Sequence, residues 1–185
     1  KPLATEAVLS SLAQGVGIIN YIGHGSSFQL AQEKLLYLNR GDLDRINTNG
    51  KMPLWIVGTC SFGHFDDPNA ESFAEELIRK QLDAASSVIS TCRPITVTGN
   101  ERYTQDLFEN IFINDEISNL EIGLILQSIK NGSSESEYFH LFGDPGMKLP
   151  ISLNSINNIE ISPDTLSALD NAHVTLNTSL FNNSG

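Results

Sequence analysis

Two short stretches bring reactive side chains to the ends of apolar runs. In Val16-Gly-Ile-Ile-Asn-Tyr-Ile-Gly-His-Gly-Ser26 a histidine sits between two glycines, and in Leu54-Trp-Ile-Val-Gly-Thr-Cys60 a cysteine closes the run. Val16 to Ile22 reads as a strand buried on both faces, after which Gly23-His24-Gly25 must turn sharply. Parallel strands ending in these residues would set His24 and Cys60 side by side at the carboxyl rim, where open α/β sheets bind ligands. A thiol beside an imidazole is the equipment of a nucleophilic catalyst. Taken singly, the plainer readings are a turn histidine and a small buried hydrophobe.

Other polar groups carry less. His64, Asp66 and Asp67 share the loop Ser61-Phe-Gly-His-Phe-Asp-Asp-Pro68, but an imidazole and two carboxylates lack a fourth ligand, so no metal is expected there. Asp66 and Asp67 are read as ordering that loop or capping the next helix. Cys92 is read as a buried small hydrophobe, and both cysteines as free thiols. Asp144 in Gly-Asp-Pro-Gly is read as a turn residue. No cofactor is expected.

The elements that would position the pair alternate as in a parallel α/β sheet. Ala4 to Gln14 predicts a short helix with Ala4, Val8, Leu9 and Leu12 on one face, ended by Gly15. Ser27 to Lys51 reads as a polar crossover with a helix-like Gly41 to Ile46. Glu71 to Leu82 predicts a helix, acidic at its start and basic near its end. Ala85 to Thr91 is a third strand, Cys92 to Gly99 a loop at the same rim, Glu101 to Phe112 and Leu120 to Lys130 two more helices, and Tyr138 to Phe142 a further strand. Beyond Pro150 asparagine becomes frequent, and alternating runs such as His173-Val-Thr-Leu-Asn177 point to the opening strands of a separate β domain.

The bounds fit one core with an appendage. The chain has 185 residues, 40% of them hydrophobic, and 11 Lys+Arg against 22 Asp+Glu give a net charge of −11. So acidic a balance argues against nucleic acid as a partner. No run approaches the about 18 to 20 apolar residues of a membrane span, so a soluble chain is expected. The start at Lys1, without Met or signal peptide, suggests a processed or excised piece.

The order histidine first, cysteine second separates this chain from α/β-hydrolases, whose nucleophile comes before the histidine, and Gly58-Thr-Cys60-Ser-Phe lacks the second glycine of their nucleophile elbow. Papain-like enzymes also place cysteine first. The arrangement left is a caspase-like one. The flanking motifs then match a family: Asn20-Tyr-Ile-Gly-His-Gly-Ser26, Pro53 to Cys60, Phe62-Gly-His-Phe-Asp-Asp-Pro68, the Ala74-Glu75 helix, Ser90-Thr-Cys-Arg93 and Leu141-Phe-Gly-Asp-Pro145 resemble the gingipain family of cysteine peptidases, across positions 1 to 150. Within it the resemblance leans to the signal peptidases, or sortases, of type IX secretion.

This resemblance implies a caspase-like three-layer α/β/α fold with a mostly parallel sheet, of which residues 1–150 are the C-terminal part of the catalytic domain, while Asp164 to Leu169 resemble the start of an immunoglobulin-like β-sandwich within 151–185. It implies that His24 is the general base, Cys60 the nucleophile, and the backbone N–H groups of Gly25 and Cys60 the oxyanion hole. The loop Arg93 to Gly99 would line the specificity pocket, with Cys92 where the family carries threonine. The histidine-orienting acid is not assigned among residues 1 to 15, Glu6 included. Implied partners are protein or peptide substrates, the upstream part of the same domain and other type IX components, outside the cell or at the outer-membrane surface of a Gram-negative bacterium. A secreted protease and a non-catalytic surface-binding module are the competing readings.

Overall fold

The computed structural model describes residues 2–80, 83–113, 121–130, 135–149, 154–162 and 173–180. The chain divides into two compact units, Lys1–Leu149 and Pro150–Gly185.

The first unit opens with helix α1 (Pro2–Gln14). Residues 5, 9 and 12 fall on one stripe at helical spacing, and Thr5, Leu9 and Leu12 are the buried ones, while Ala4, expected on that face, is exposed. Gly15 ends the helix at φ +99°, a left-handed backbone that costs glycine nothing. Strand β1 (Ile18–Ile22) follows. The expected polar crossover holds more structure than its composition suggests: β2 (Gly25–Ser26), β3 (Gln29–Leu30) and β4 (Leu36–Tyr37) form a small antiparallel sheet. Helix α2 (Asp42–Arg45) then precedes β5 (Leu54–Gly58).

Helix α3 (Phe73–Arg79) is shorter than the expected 71 to 82, and residues 81 and 82 lie outside the described residues. Its cap is neither Asp66 nor Asp67. Ser72 and Glu75 form a capping box, each side chain satisfying the other's backbone N–H. Strand β6 (Ser87–Thr91) is buried throughout. Helix α4 (Val97–Phe112) starts inside the stretch expected as a loop, because the Thr96 hydroxyl oxygen accepts the Gly99 N–H at 3.1 Å and caps it. Helix α5 (Ile122–Ile129) and strand β7 (Phe139–Phe142) complete the unit.

The sheet order is β1-β5-β6-β7. β1, β5 and β6 are parallel, whereas β7 runs antiparallel to β6. Alternation separates two faces. On one, Ile19, Trp55, Val57, Val88 and Phe142 pack with Leu9 and Leu12 of α1 and Phe73, Ala74 and Leu77 of α3; the Trp55 indole donates to the Ala84 carbonyl at 3.0 Å. On the other, α4 crosses Gly58 and stacks Tyr103 on Phe139 at 3.6 Å between ring centroids. Burial pushes the Tyr103 phenol well above its usual range. The result is a three-layer α/β/α unit with a mostly parallel sheet.

β1 departs from the expected strand buried on both faces. It is an edge strand, half-buried at Ile18, Ile19 and Tyr21 and exposed at Asn20 and Ile22. Apolar composition signals what a strand can bury, but a neighbour must be present to bury it. In the second unit β8 (Asn154–Ser162) pairs antiparallel with β9 (His173–Leu180), with a bulge between Ile156 and Asn158. Asp164 to Leu169 lie outside the described residues.

Candidate active site

The register of the central pair places the two reactive residues. Ile22 pairs with Gly58, so His24 and Cys60 each follow a matched position by two residues. Strands in a sheet lie about 4.8 Å apart, and the ladder extends one step further through the Gly23 N–H donating to the Gly58 carbonyl at 3.3 Å. His24 is exposed and Cys60 half-buried, and both line one cleft of about 180 Å³ with Ile22, Thr59, Ile95, Val97 and Asn100.

The histidine turn is held by its backbone. The His24 carbonyl accepts from the Tyr21 hydroxyl at 2.7 Å and from the Ala31 N–H at 2.8 Å. Burial raises the Tyr21 phenol pKa further above an ordinary value that already leaves it a donor at neutral pH. Gly25 must be a glycine: a Cβ there would lie 2.7 Å from Thr59 Oγ1 and 2.9 Å from the Gln29 carbonyl oxygen. Its missing side chain lets the turn after β1 press against the residue before Cys60.

The cysteine turn is equally constrained. Thr59 is 1% exposed, and its carbonyl accepts the Thr91 hydroxyl of β6. Ser61, directly after Cys60, holds φ +58°, the left-handed region a serine adopts only under constraint. The constraint is visible. Ser27 Oγ donates to the Ser61 carbonyl at 3.1 Å, the Gly63 N–H to the Thr91 carbonyl at 2.9 Å, and the Ala74 N–H of α3 to the Phe62 carbonyl at 3.3 Å.

Behind this turn, Arg93 grips Asp66 with its two terminal guanidinium nitrogens, Nη1 at 2.8 Å, and His64 Nε2 stands 3.4 Å from the same carboxylate. The hydrogen bonds from Arg93 hold the Asp66 carboxyl down at about 2. Asp66 therefore orders the loop after Cys60, one of the two roles expected for it, while Asp67 closes a local turn by accepting the Asn69 N–H at 2.9 Å. Asp144 likewise accepts the Gly146 N–H at 2.8 Å in its turn. Cys92 is 7% exposed, burial pushes its thiol pKa up, and both cysteines are free. Among the described residues no cluster of three His, Cys, Asp or Glu could hold a metal ion, and no helix is long and apolar enough to cross a membrane.

Asn100 and Thr59 escaped the sequence reading. Asn100 arrives from α4, forty positions beyond Cys60, and its Nδ2 donates to the Gly58 carbonyl at 2.6 Å. The available signal was Gly58 itself, since a glycine inside an apolar strand marks a close approach.

Fold and cleft define a class: a three-layer α/β protein with a histidine and a cysteine at the carboxyl ends of paired parallel strands. The profile of Peptidase family C25 matches residues 1–150, and the chain belongs to that family. Among solved structures it is similar to the Arg-specific cysteine proteinase gingipain R, at 16% identity and a TM-score of 0.67 over 78% of this chain and 36% of that one. The complex of RgpB pro- and mature domains from Porphyromonas gingivalis is similar at 17% identity and a TM-score of 0.64, over 82% and 40%. A structure described as a protease gives 19%, 0.65, 85% and 40%. At these identities the likeness is one of fold, and this chain spans less than half of each. No curated protein matches.

Proposed function

We propose that the protein is a cysteine peptidase working through a His24–Cys60 dyad. His24 takes the Cys60 proton and the thiolate attacks the scissile carbonyl; as the tetrahedral adduct collapses, the C–N bond breaks, the amine leaves with the proton returned by His24, and the acyl group stays on Cys60 as a thioester. The backbone N–H groups of Gly25 and Cys60 hold the oxyanion, a contribution of about 3 kcal/mol per donor in such sites. Water resolves the thioester in hydrolysis, or an amine in transpeptidation. The observation that carries this reading is the Ile22–Gly58 register, which delivers both side chains to one cleft.

The substrates are protein or peptide chains. On the motif resemblance, they are C-terminal signals of proteins exported by type IX secretion, processed at the outer surface of a Gram-negative cell. Residues 1–150 are then part of a catalytic domain completed by its upstream segment, and 151–185 open an immunoglobulin-like domain. The mechanism uses no metal or cofactor.

Alkylation tests the dyad. In the full-length protein at neutral pH, a small haloacetamide should modify Cys60 at least about tenfold faster than Cys92, whose thiol is buried with a raised pKa. Equal rates would favour a non-catalytic module. The product mass with a peptide substrate then separates hydrolysis from amine transfer.

A further inference from the structure

The histidine turn, the cysteine turn and helix α3 are joined in a ring of hydrogen bonds. On the histidine side Ser27, three residues after His24, gives its carbonyl to the Phe73 N–H at 2.7 Å. On the cysteine side the Phe62 carbonyl accepts the N–H of Ala74, the next residue of the same helix, at 3.3 Å. The Ser27 hydroxyl closes the ring by donating to the Ser61 carbonyl at 3.1 Å. That carbonyl also takes the His64 N–H at 3.1 Å, but this bond stays inside the cysteine turn, whereas the serine hydroxyl reaches across from the histidine turn.

What the hydroxyl holds is a strained residue. Ser61 sits at φ +58°, a left-handed backbone that a residue with a Cβ leaves unless its surroundings impose it. Cys60 directly precedes it, so relaxation of Ser61 swings the peptide unit that carries the nucleophile. Ser27 has little freedom to follow. Its carbonyl is fixed on α3, whose Phe73 and Ala74 are buried, and Gly25 two residues earlier is pressed on Thr59. The bond therefore sets the cysteine turn against a histidine turn that is itself anchored, and reacting groups tolerate little misplacement.

We propose that Ser27 is a positioning residue for the peptidase reaction: its hydroxyl holds Ser61 in the left-handed conformation and so keeps Cys60 within reach of His24. The inference rests on the His24–Cys60 dyad. It is tested on the full-length enzyme. In Ser27→Ala, kcat for peptide cleavage should fall by about tenfold or more while KM changes less than about threefold, and alkylation of Cys60 by a small haloacetamide should slow while that of Cys92 does not. Ser61→Gly supplies the deciding background, because glycine adopts a positive φ without a tether. There the same Ser27→Ala change should cost less than about threefold in kcat, a coupling that a serine needed only for folding would not show. An equal loss in both backgrounds overturns the inference, and so does a folded Ser27→Ala enzyme with wild-type kcat. If Ser27→Ala alone is unstable, Ser61→Gly against the double variant still decides, and a tenfold loss between those two overturns the inference. A wild-type Cys60 no more reactive than Cys92 removes the dyad and this inference with it; a reactive Cys60 that Ser27→Ala leaves untouched removes this inference alone.

Discussion

Gly25 shows how little room separates the two halves of the site. Thr59 cannot retreat from an added methyl group, because it is buried and tied to Thr91 through its carbonyl, and the Gln29 oxygen on the other side is backbone. Gly25→Ala must therefore push the histidine turn away from Cys60, and kcat/KM for peptide cleavage should fall by about tenfold or more, in proportion to the misplacement. Removing a member of the proposed dyad should be harsher. Cys60→Ala and His24→Ala should each cost about a thousandfold or more, and the double variant hardly more than either, because the two act as a unit. A Cys60→Ala enzyme with near-normal turnover would end the assignment. The placement of His24 and Cys60 at the ends of paired strands was legible because strand, turn and residue are contiguous in sequence. Asn100 was not, since a helix residue acquires its cleft only from the way α4 crosses Gly58.

At the scale of elements, the sheet and its helices were readable where periodicity ran long enough. β5, β6 and α3 appear within a few residues of their expected ends, the long apolar or amphipathic pattern outweighing local detail. The two-residue strands β2, β3 and β4 have no period to detect, and the first turn of α4 was hidden by the loop-like Arg-Pro-Ile-Thr before it. Nor does spacing reveal the Arg93–Asp66 clasp that ties the loop after β5 to the end of β6. Its pH dependence follows from the lowered Asp66 pKa. The folded state prefers the ionised carboxylate, so the clasp contributes fully above the unfolded value of about 3.9 and loses its contribution as pH falls through about 2. Both side chains are largely exposed, which keeps the effect small. Wild type should melt slightly above Asp66→Asn at pH 5 to 7, and the difference should shrink below pH 4. A difference that grows on acidification would contradict the clasp.

For the molecule as a whole, the unsettled surface is the outer side of β1. Among the described residues nothing pairs with that edge, Ile22 is 43% exposed, and Ala7, Val8, Leu12, Val16, Ile18 and Ile19 line a groove of about 270 Å³ beside it. An apolar strand with an open row of backbone donors and acceptors is a template for pairing with another chain. The matched solved structures are more than twice as long as this chain, which leaves ample length for a covering strand in a parent protein. Residues 1–185 expressed alone should therefore self-associate through Val16 to Ile22, as dimers, swapped forms or aggregates, with at best weak peptidase activity. Ile18→Lys places a charge on the half-buried edge strand and should raise the monomer fraction in size-exclusion chromatography without restoring activity, because it blocks pairing but supplies no strand. Adding the upstream segment, on the same chain or as a separate fragment, should restore both monomer and turnover. A monodisperse monomer of residues 1–185 with a cooperative melt and full activity would show that the sheet needs no partner at β1, and the exposed edge would then be a tolerated surface.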